Sequence, residues 1–330
     1  MQVKRWITKE RLMQGGLLLL PPFTAFYLMQ FILGALPWEM APGVVLANAL
    51  CIGAVYYLLW AATGHPAVCC VLLHLACGLW GTANYFVSLY RGTPVLPWDL
   101  TALETAAAVS GSYSYVPTEP MLVGAVLVLV LIWVLRKEFR KGRFLMDRHT
   151  APVRLGCLAV GIACLGVAVA PERLEELGVQ TDVWDQTGAY RTSGAVAAFL
   201  CNLEFLEVDE PEDLSPQRLS WIMDQVEVPE ETAVSVDHPN IVAIMNESWA
   251  DFEEFGNLSL TESVTDYIRS LDNAIWGHTY TSVFGAGTSA SEFEFLTGNS
   301  MAFLPSGSIP YQQYILDDSP SLASLLKEEG

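Results

Sequence analysis

Thr288 lies in the stretch GAGTSASEFEFLTG, residues 285–298, and Glu247 follows the apolar run NIVAIMN that starts at Asn240. These residue types at these positions could do phosphoryl chemistry. Gly285 and Gly287 let a backbone come close to a ligand. A helix starting after them would offer unpaired N–H groups and the positive end of its dipole to a phosphate. A hydroxyl placed there becomes a nucleophile when a metal stabilises its alkoxide. A carboxylate held rigidly after a buried strand is an oxygen ligand for Mg²⁺ or Mn²⁺. Both residues also have plainer readings. Ser289-Ala290-Ser291-Glu292 fits the S-x-x-E capping box, and Glu247 could cap a helix or pair with a cation. Capping and catalysis are compatible, since Ser289 can cap while Thr288 reacts. His278, ten residues before Thr288, reads as structural.

The elements that must position this pair alternate in type. The run from Asn240 has the continuous apolar character of a buried parallel strand. Residues 261–273 carry Val264, Tyr267, Ile268 and Leu271 at helical spacing. AIWGHTYTSVFG, residues 274–285, reads as a second strand, and TSASEFEFLTG, residues 288–298, as a second helix. SPSLASLLKEEG predicts a third helix, capped by Ser319 or Ser321, with Gly330 just beyond its end. Alternating strands and helices make an α/β domain with a mostly parallel sheet. Ligands bind such sheets outside the carboxyl ends of the strands, which brings Glu247 and Thr288 to one rim.

Upstream, the chain changes character. Residues 1–170 hold 12 Lys/Arg against 7 Asp/Glu, and residues 171–330 hold 5 against 29. The net charges are +5 and −24, which divides a membrane part from an acidic water-exposed part. So acidic a second half excludes nucleic acid as a partner, because phosphate backbones require a basic footprint. Six of the seven cysteines lie in apolar stretches and suggest neither a disulfide framework nor a metal site.

Five stretches approach the roughly 20 apolar residues of a membrane span: residues 15–36, 42–62, 67–90, 116–135 and 153–170. Pro21-Pro22 should kink the first or mark its true start. Lys4, Arg5, Lys9 and Arg11 precede it, and seven more cations lie between Arg136 and Arg154. Five spans with a cytoplasmic N-terminus put all eleven on the inside, and everything after Pro171 outside. His74 and Asn84, polar members of the third span, read as hydrogen bonds between helices rather than as a site. In the loop between Arg91 and Pro120, Asp99 and Thr101 mark a helix start. Residues 171–236 form an acidic linker with juxtamembrane helices, one starting at Ser215-Pro216.

NIVAIMNESWADF, FGAGTSASEFEFLTGNS, PYQQYI and SLASLLKEEG, in that order, resemble the lipoteichoic acid synthase and phosphoglycerol transferase family, membrane enzymes of the sulfatase and alkaline phosphatase fold. Five N-terminal spans resemble that family's layout. The resemblance implies a five-span membrane domain (1–170), the linker (171–236) and the first part of an α/β sulfatase-like domain (237–330). It makes Glu247 the first metal-binding carboxylate, Thr288 the catalytic threonine and metal contact, and Mn²⁺ or Mg²⁺ the metal. Some members carry Lys before the threonine; here Gly287 stands there. The family's Asp-His ligand pair falls beyond Gly330, so the chain is expected to be incomplete and residues 1–330 inactive alone. The implied reaction takes glycerophosphate from phosphatidylglycerol, through a covalent threonine intermediate, to an extracellular glycerophosphate polymer or glycan. A phosphoethanolamine transferase of similar architecture is one alternative. A non-catalytic membrane sensor with a sulfatase-like domain is another.

Overall fold

The computed structural model describes residues 15–101, 103–111, 113–140, 150–182, 185–206, 208, 215–225, 241–246, 251, 260–275, 277, 279–283, 287–305, 308–315 and 317–329. It divides into two compact units, Met1–Leu206 and Glu207–Gly330.

The first unit is a helix bundle: α1 (Pro21–Leu33), α2 (Pro42–Thr63), α3 (Pro66–Arg91), α4 (Leu103–Ser110), α5 (Glu119–Arg140) and α6 (Thr150–Ala168). Three short helices follow: α7 (Pro171–Glu176), α8 (Gln186–Thr192) and α9 (Ala195–Cys201). Proline and glycine set the ends of α2 and α3. Each starts on a proline, whose missing N–H is an orphan anyway, and each ends on a glycine, Gly64 or Gly92. Segments of α2, α3, α5 and α6 are long and apolar enough to cross a membrane. Their outward faces expose side chains such as Leu79, Leu129 and Leu155, as a lipid-facing surface requires.

The first expected span is not one regular helix. Residues 15–19 are helical, Leu20 is a bend, and α1 restarts at Pro21. Thirteen residues cover only about 20 Å, short of the roughly 30 Å hydrocarbon core. The break has a chemical cause. Leu17 and Leu18 carbonyls would accept from residues 21 and 22, which are prolines without N–H groups. Two neighbours on α2 replace the lost donors. Tyr56 OH donates to Leu17 O at 2.6 Å, and Tyr57 OH donates to Leu18 O at 2.7 Å.

Polar side chains fix both ends of the bundle. At one end Arg154 donates to Ala61 O and Ala62 O, each at 2.8 Å, and closes the carbonyl end of α2. At the other, α8 and α9 are pinned down. Asn48 Nδ2 donates to Ser193 O at 2.8 Å, and its Oδ1 accepts from Ala197 N at 3.0 Å. Gln30, fully buried, reaches Tyr190 O and Ala195 N, each at 3.4 Å. Gly194 between them has φ +79°, and a Cβ there would lie 2.3 Å from Asn48 Nδ2. His74 Nε2 meets Thr24 Oγ1 at 2.9 Å across α3 and α1, an interhelical bond as expected. Asn84 instead ties its own helix to the following loop, accepting from Val95 N at 3.0 Å. Asp99 does not start α4. It accepts from Leu96 N at 2.7 Å in a short 3-10 turn (Pro97–Leu100) and pairs with Arg91.

The second unit holds α10 (Pro216–Met223), α11 (Asp266–Arg269), α12 (Thr288–Thr297), α13 (Pro310–Gln313) and α14 (Leu322–Glu329). Ser215 Oγ caps α10 through Arg218 N at 3.2 Å. Ser321 Oγ caps α14 through Ser324 N at 3.2 Å, so of the two candidates Ser321 is the cap. The helix expected over 261–273 reduces to the four residues of α11. Among the described residues there is no β-strand. Residues 241–246, expected as a buried strand, have no regular structure, and Val242 and Ile244 are each 80% exposed. A strand exists only as a paired ladder, and these residues have no ladder partner among the described ones.

Candidate active site

α12 carries Thr288 as its first residue. Ala290 and Phe293, one turn apart, are buried with Met301, against Val283, Leu304 and Ile315. Tyr311 meets the Phe293 ring edge-on at 6.0 Å. This apolar face fixes where the helix begins. Gly287 is the N-cap, its carbonyl accepting from Ala290 N at 3.0 Å and Ser291 N at 3.1 Å.

The expected capping box does not form. Ser289 is the second helical residue, and no side chain caps this end. A cap residue must precede the helix with extended backbone, whereas burial of Ala290 and Phe293 winds the chain from Thr288 onward. Among the described residues the N–H groups of Thr288 and Ser289 therefore make no hydrogen bond, the arrangement that suits an anion. Thr288 is half-buried, and its hydroxyl makes no hydrogen bond among the described residues.

Glu294, which the sequence does not single out, holds the surroundings of Thr288 together. Its carboxylate accepts from Met301 N at 2.7 Å, Ser282 N at 3.2 Å and Ser300 Oγ at 3.4 Å. Ser282 and Ser300 hydroxyls meet at 2.8 Å beneath it. The segment leading into Thr288 and the segment leaving α12 are thus tied to one side chain. Partial burial pushes the Glu294 carboxyl upward, but the hydrogen bonds from Met301, Ser282 and Ser300 outweigh it and hold the group below its ordinary value. The only early signal was a glutamate among serines. Asp251 makes a similar tie, accepting from Thr265 Oγ1 at 3.1 Å and from Arg269 at 2.8 Å.

Glu247 and His278 lie outside the described residues, so Thr288 alone of the expected pair is placed. Among the described residues no group of three His, Cys, Asp or Glu could hold a metal ion. The Thr288 oxygen is the donor type a hard cation takes.

Residues 239–330 match the sulfatase family, so this segment is sulfatase-like. The chain is 37% identical over 158 residues to a Rhizobium meliloti (strain 1021) protein named "Putative cyclic beta-1,2-glucan modification protein". That match covers 47% of this chain and 24% of the relative, so the chain spans about a quarter of the relative's length. No solved structure matches the chain.

Proposed function

We propose that this protein is a membrane-bound phosphoglycerol transferase that moves glycerophosphate from phosphatidylglycerol to an extracellular glycan or glycerophosphate polymer. One observation carries the reading: within the sulfatase-like segment, Thr288 opens α12, where no side chain caps the helix, and its hydroxyl has no partner among the described residues. In the proposed reaction the Thr288 oxygen attacks the phosphorus of the lipid head group. The bond from phosphorus to the diacylglycerol oxygen breaks, and diacylglycerol leaves with a proton. A glycerophosphoryl-threonine remains. An acceptor hydroxyl then attacks the same phosphorus, and Thr288 recovers its hydrogen. The open N–H groups of α12 face negative charge on phosphate oxygens, the main means of stabilising such transfers. Mn²⁺ or Mg²⁺, with Glu247 and Thr288 among its ligands, would lower the pKa of the attacking hydroxyl. The name of the Rhizobium relative favours a glucan as acceptor.

The topology proposed with this reaction has five spans, a cytoplasmic N-terminus and residues 171–330 outside, with an α/β sulfatase-like fold over 237–330. Tyr56 and Tyr57 support counting residues 15–33 as a span. A backbone carbonyl freed in hydrocarbon must find a donor within the protein, and both freed carbonyls do.

The test uses the full-length protein with head-group-labelled phosphatidylglycerol. Wild type should hold label on residue 288 and pass it to a glucan acceptor, while Thr288→Ala should do neither. Normal transfer by Thr288→Ala refutes the mechanism. Label arriving only from phosphatidylethanolamine makes the protein a phosphoethanolamine transferase instead, and no label from either lipid favours a non-catalytic sensor.

A further inference from the structure

A cavity of about 290 Å³ opens where α1, α3 and α8 meet, at the end of the bundle opposite Arg154. Leu33 and Leu89 form an apolar wall, and the buried Tyr190 closes it from α8. Tyr85, Ser88 and Arg191 line the same space. None of these three side chains has a hydrogen-bond or ion-pair partner among the described residues. That sets Arg191 apart from two other arginines of the same unit. Arg91 is paired with Asp99 at 2.5 Å, and Arg173 reaches Gly166 O at 3.4 Å. α8 also lines a second cavity together with Glu175, Asp182 and Asp185.

The cavity is built, not incidental. Tyr190 OH donates to Val95 O at 2.8 Å, and Thr187 Oγ1 donates to Gly92 O at 2.9 Å. Gln30 holds the backbone of Tyr190 from within the bundle. Arg191 is thus carried on a fixed helix over the ends of two membrane helices.

We propose that this cavity binds the phosphodiester head group of an anionic phospholipid. A planar guanidinium can take two non-bridging phosphate oxygens at once, and two hydroxyls can donate beside it. The apolar wall continues into helix faces that meet acyl chains, and a tyrosine at that depth suits the membrane–water boundary. Identifying this lipid with the transferase's own donor rests on the function proposed above; the binding itself does not.

The experiment takes full-length protein into vesicles of phosphatidylglycerol or phosphatidylcholine, extracts it and counts retained lipid by native mass spectrometry. Wild type should retain phosphatidylglycerol over phosphatidylcholine. Arg191→Gln should lose about tenfold of that retention, as loss of a charge-assisted contact implies, and Arg191→Lys should recover part of it. The Tyr85→Phe, Ser88→Ala double variant should lose retention with Arg191 intact. Added inorganic phosphate should not displace the lipid. Equal retention of both lipids, unchanged retention in Arg191→Gln, or displacement by phosphate overturns the proposal. Thr288→Ala should keep the lipid while losing transfer. Transfer surviving in Thr288→Ala refutes the reaction and leaves the cavity standing; retention unmoved by Arg191→Gln does the reverse.

Discussion

Replacing Tyr56 by Phe removes one hydroxyl and leaves the Leu17 carbonyl without a donor. The geometry isolates the effect unusually well. Tyr56 is fully buried, and its bond to Leu17 O is 2.6 Å. The carbonyl has no helical partner because residue 21 is proline. A buried acceptor left unsatisfied costs about 1–3 kcal/mol, while interhelical hydrogen bonds in membranes average nearer 0.6 kcal/mol. Thermal melting of the detergent-solubilised protein should therefore fall by several degrees, at roughly 2–4 °C per kcal/mol for a unit of this size. A double-mutant cycle gives the sharper result. Pro21→Ala returns an N–H in reach of Leu17 O, so it should relieve Tyr56→Phe. Pro22→Ala should relieve Tyr57→Phe by the same logic. The crossed pairs, Pro22→Ala with Tyr56→Phe and Pro21→Ala with Tyr57→Phe, should simply add. Equal coupling in matched and crossed pairs, or a neutral Tyr56→Phe, would refute the account of the break.

Gly194→Ala should destabilise the first unit by more than about 1 kcal/mol, because φ +79° strains any side chain and the new Cβ meets Asn48; unchanged melting and unchanged protease resistance of residues 186–201 would contradict it. Glu294→Gln should loosen the segments on both sides of α12, read as faster proteolysis near residues 282 and 301, with unaltered cleavage counting against the tie. Because the folded Glu294 carboxyl sits below its ordinary 4.5, its stabilisation is present above that value and fades as pH falls through the lower folded one. Wild type should therefore lose resistance in that acidic window, and Glu294→Gln should show no such step.

What the sequence made legible follows the range of the forces involved. A helix end set by one residue's chemistry, such as the Ser215-Pro216 start, could be read directly, and Ser321 was one of two caps offered for the last helix. Where two local signals competed, the sequence misled. Ser289 and Glu292 satisfy the spacing of a capping box, yet packing of Phe293 against Met301 and Val283 sets the helix start two residues before it, with Gly287 as the N-cap. The long-range partners of Gln30 and Asn48 lie between 145 and 165 residues along the chain, and no local pattern announces them. The sulfatase-like character of residues 239–330 was legible through a glycine-threonine-serine stretch, which carries function rather than packing. The strands expected around it depend on ladder partners, and an apolar run alone cannot supply those.

Polar groups in the membrane unit separate into two kinds, and the separation bears on function. Most correct a defect in the backbone. Tyr56 and Tyr57 serve carbonyls that prolines orphaned, Asn48 serves the turn around Gly194, Asn84 serves the loop at Val95, and Arg154 closes the end of α2. Each can be justified by the price of an unpaired group in hydrocarbon. Tyr85, Ser88 and Arg191 differ: among the described residues their side chains bond to no backbone group. Three side chains that hold hydrogen-bonding capacity in reserve around one cavity are better explained by a ligand than by the fold. Thr288 belongs with them. Its hydroxyl, too, has no partner among the described residues, at a helix end where a capping bond was available in the sequence and was not made.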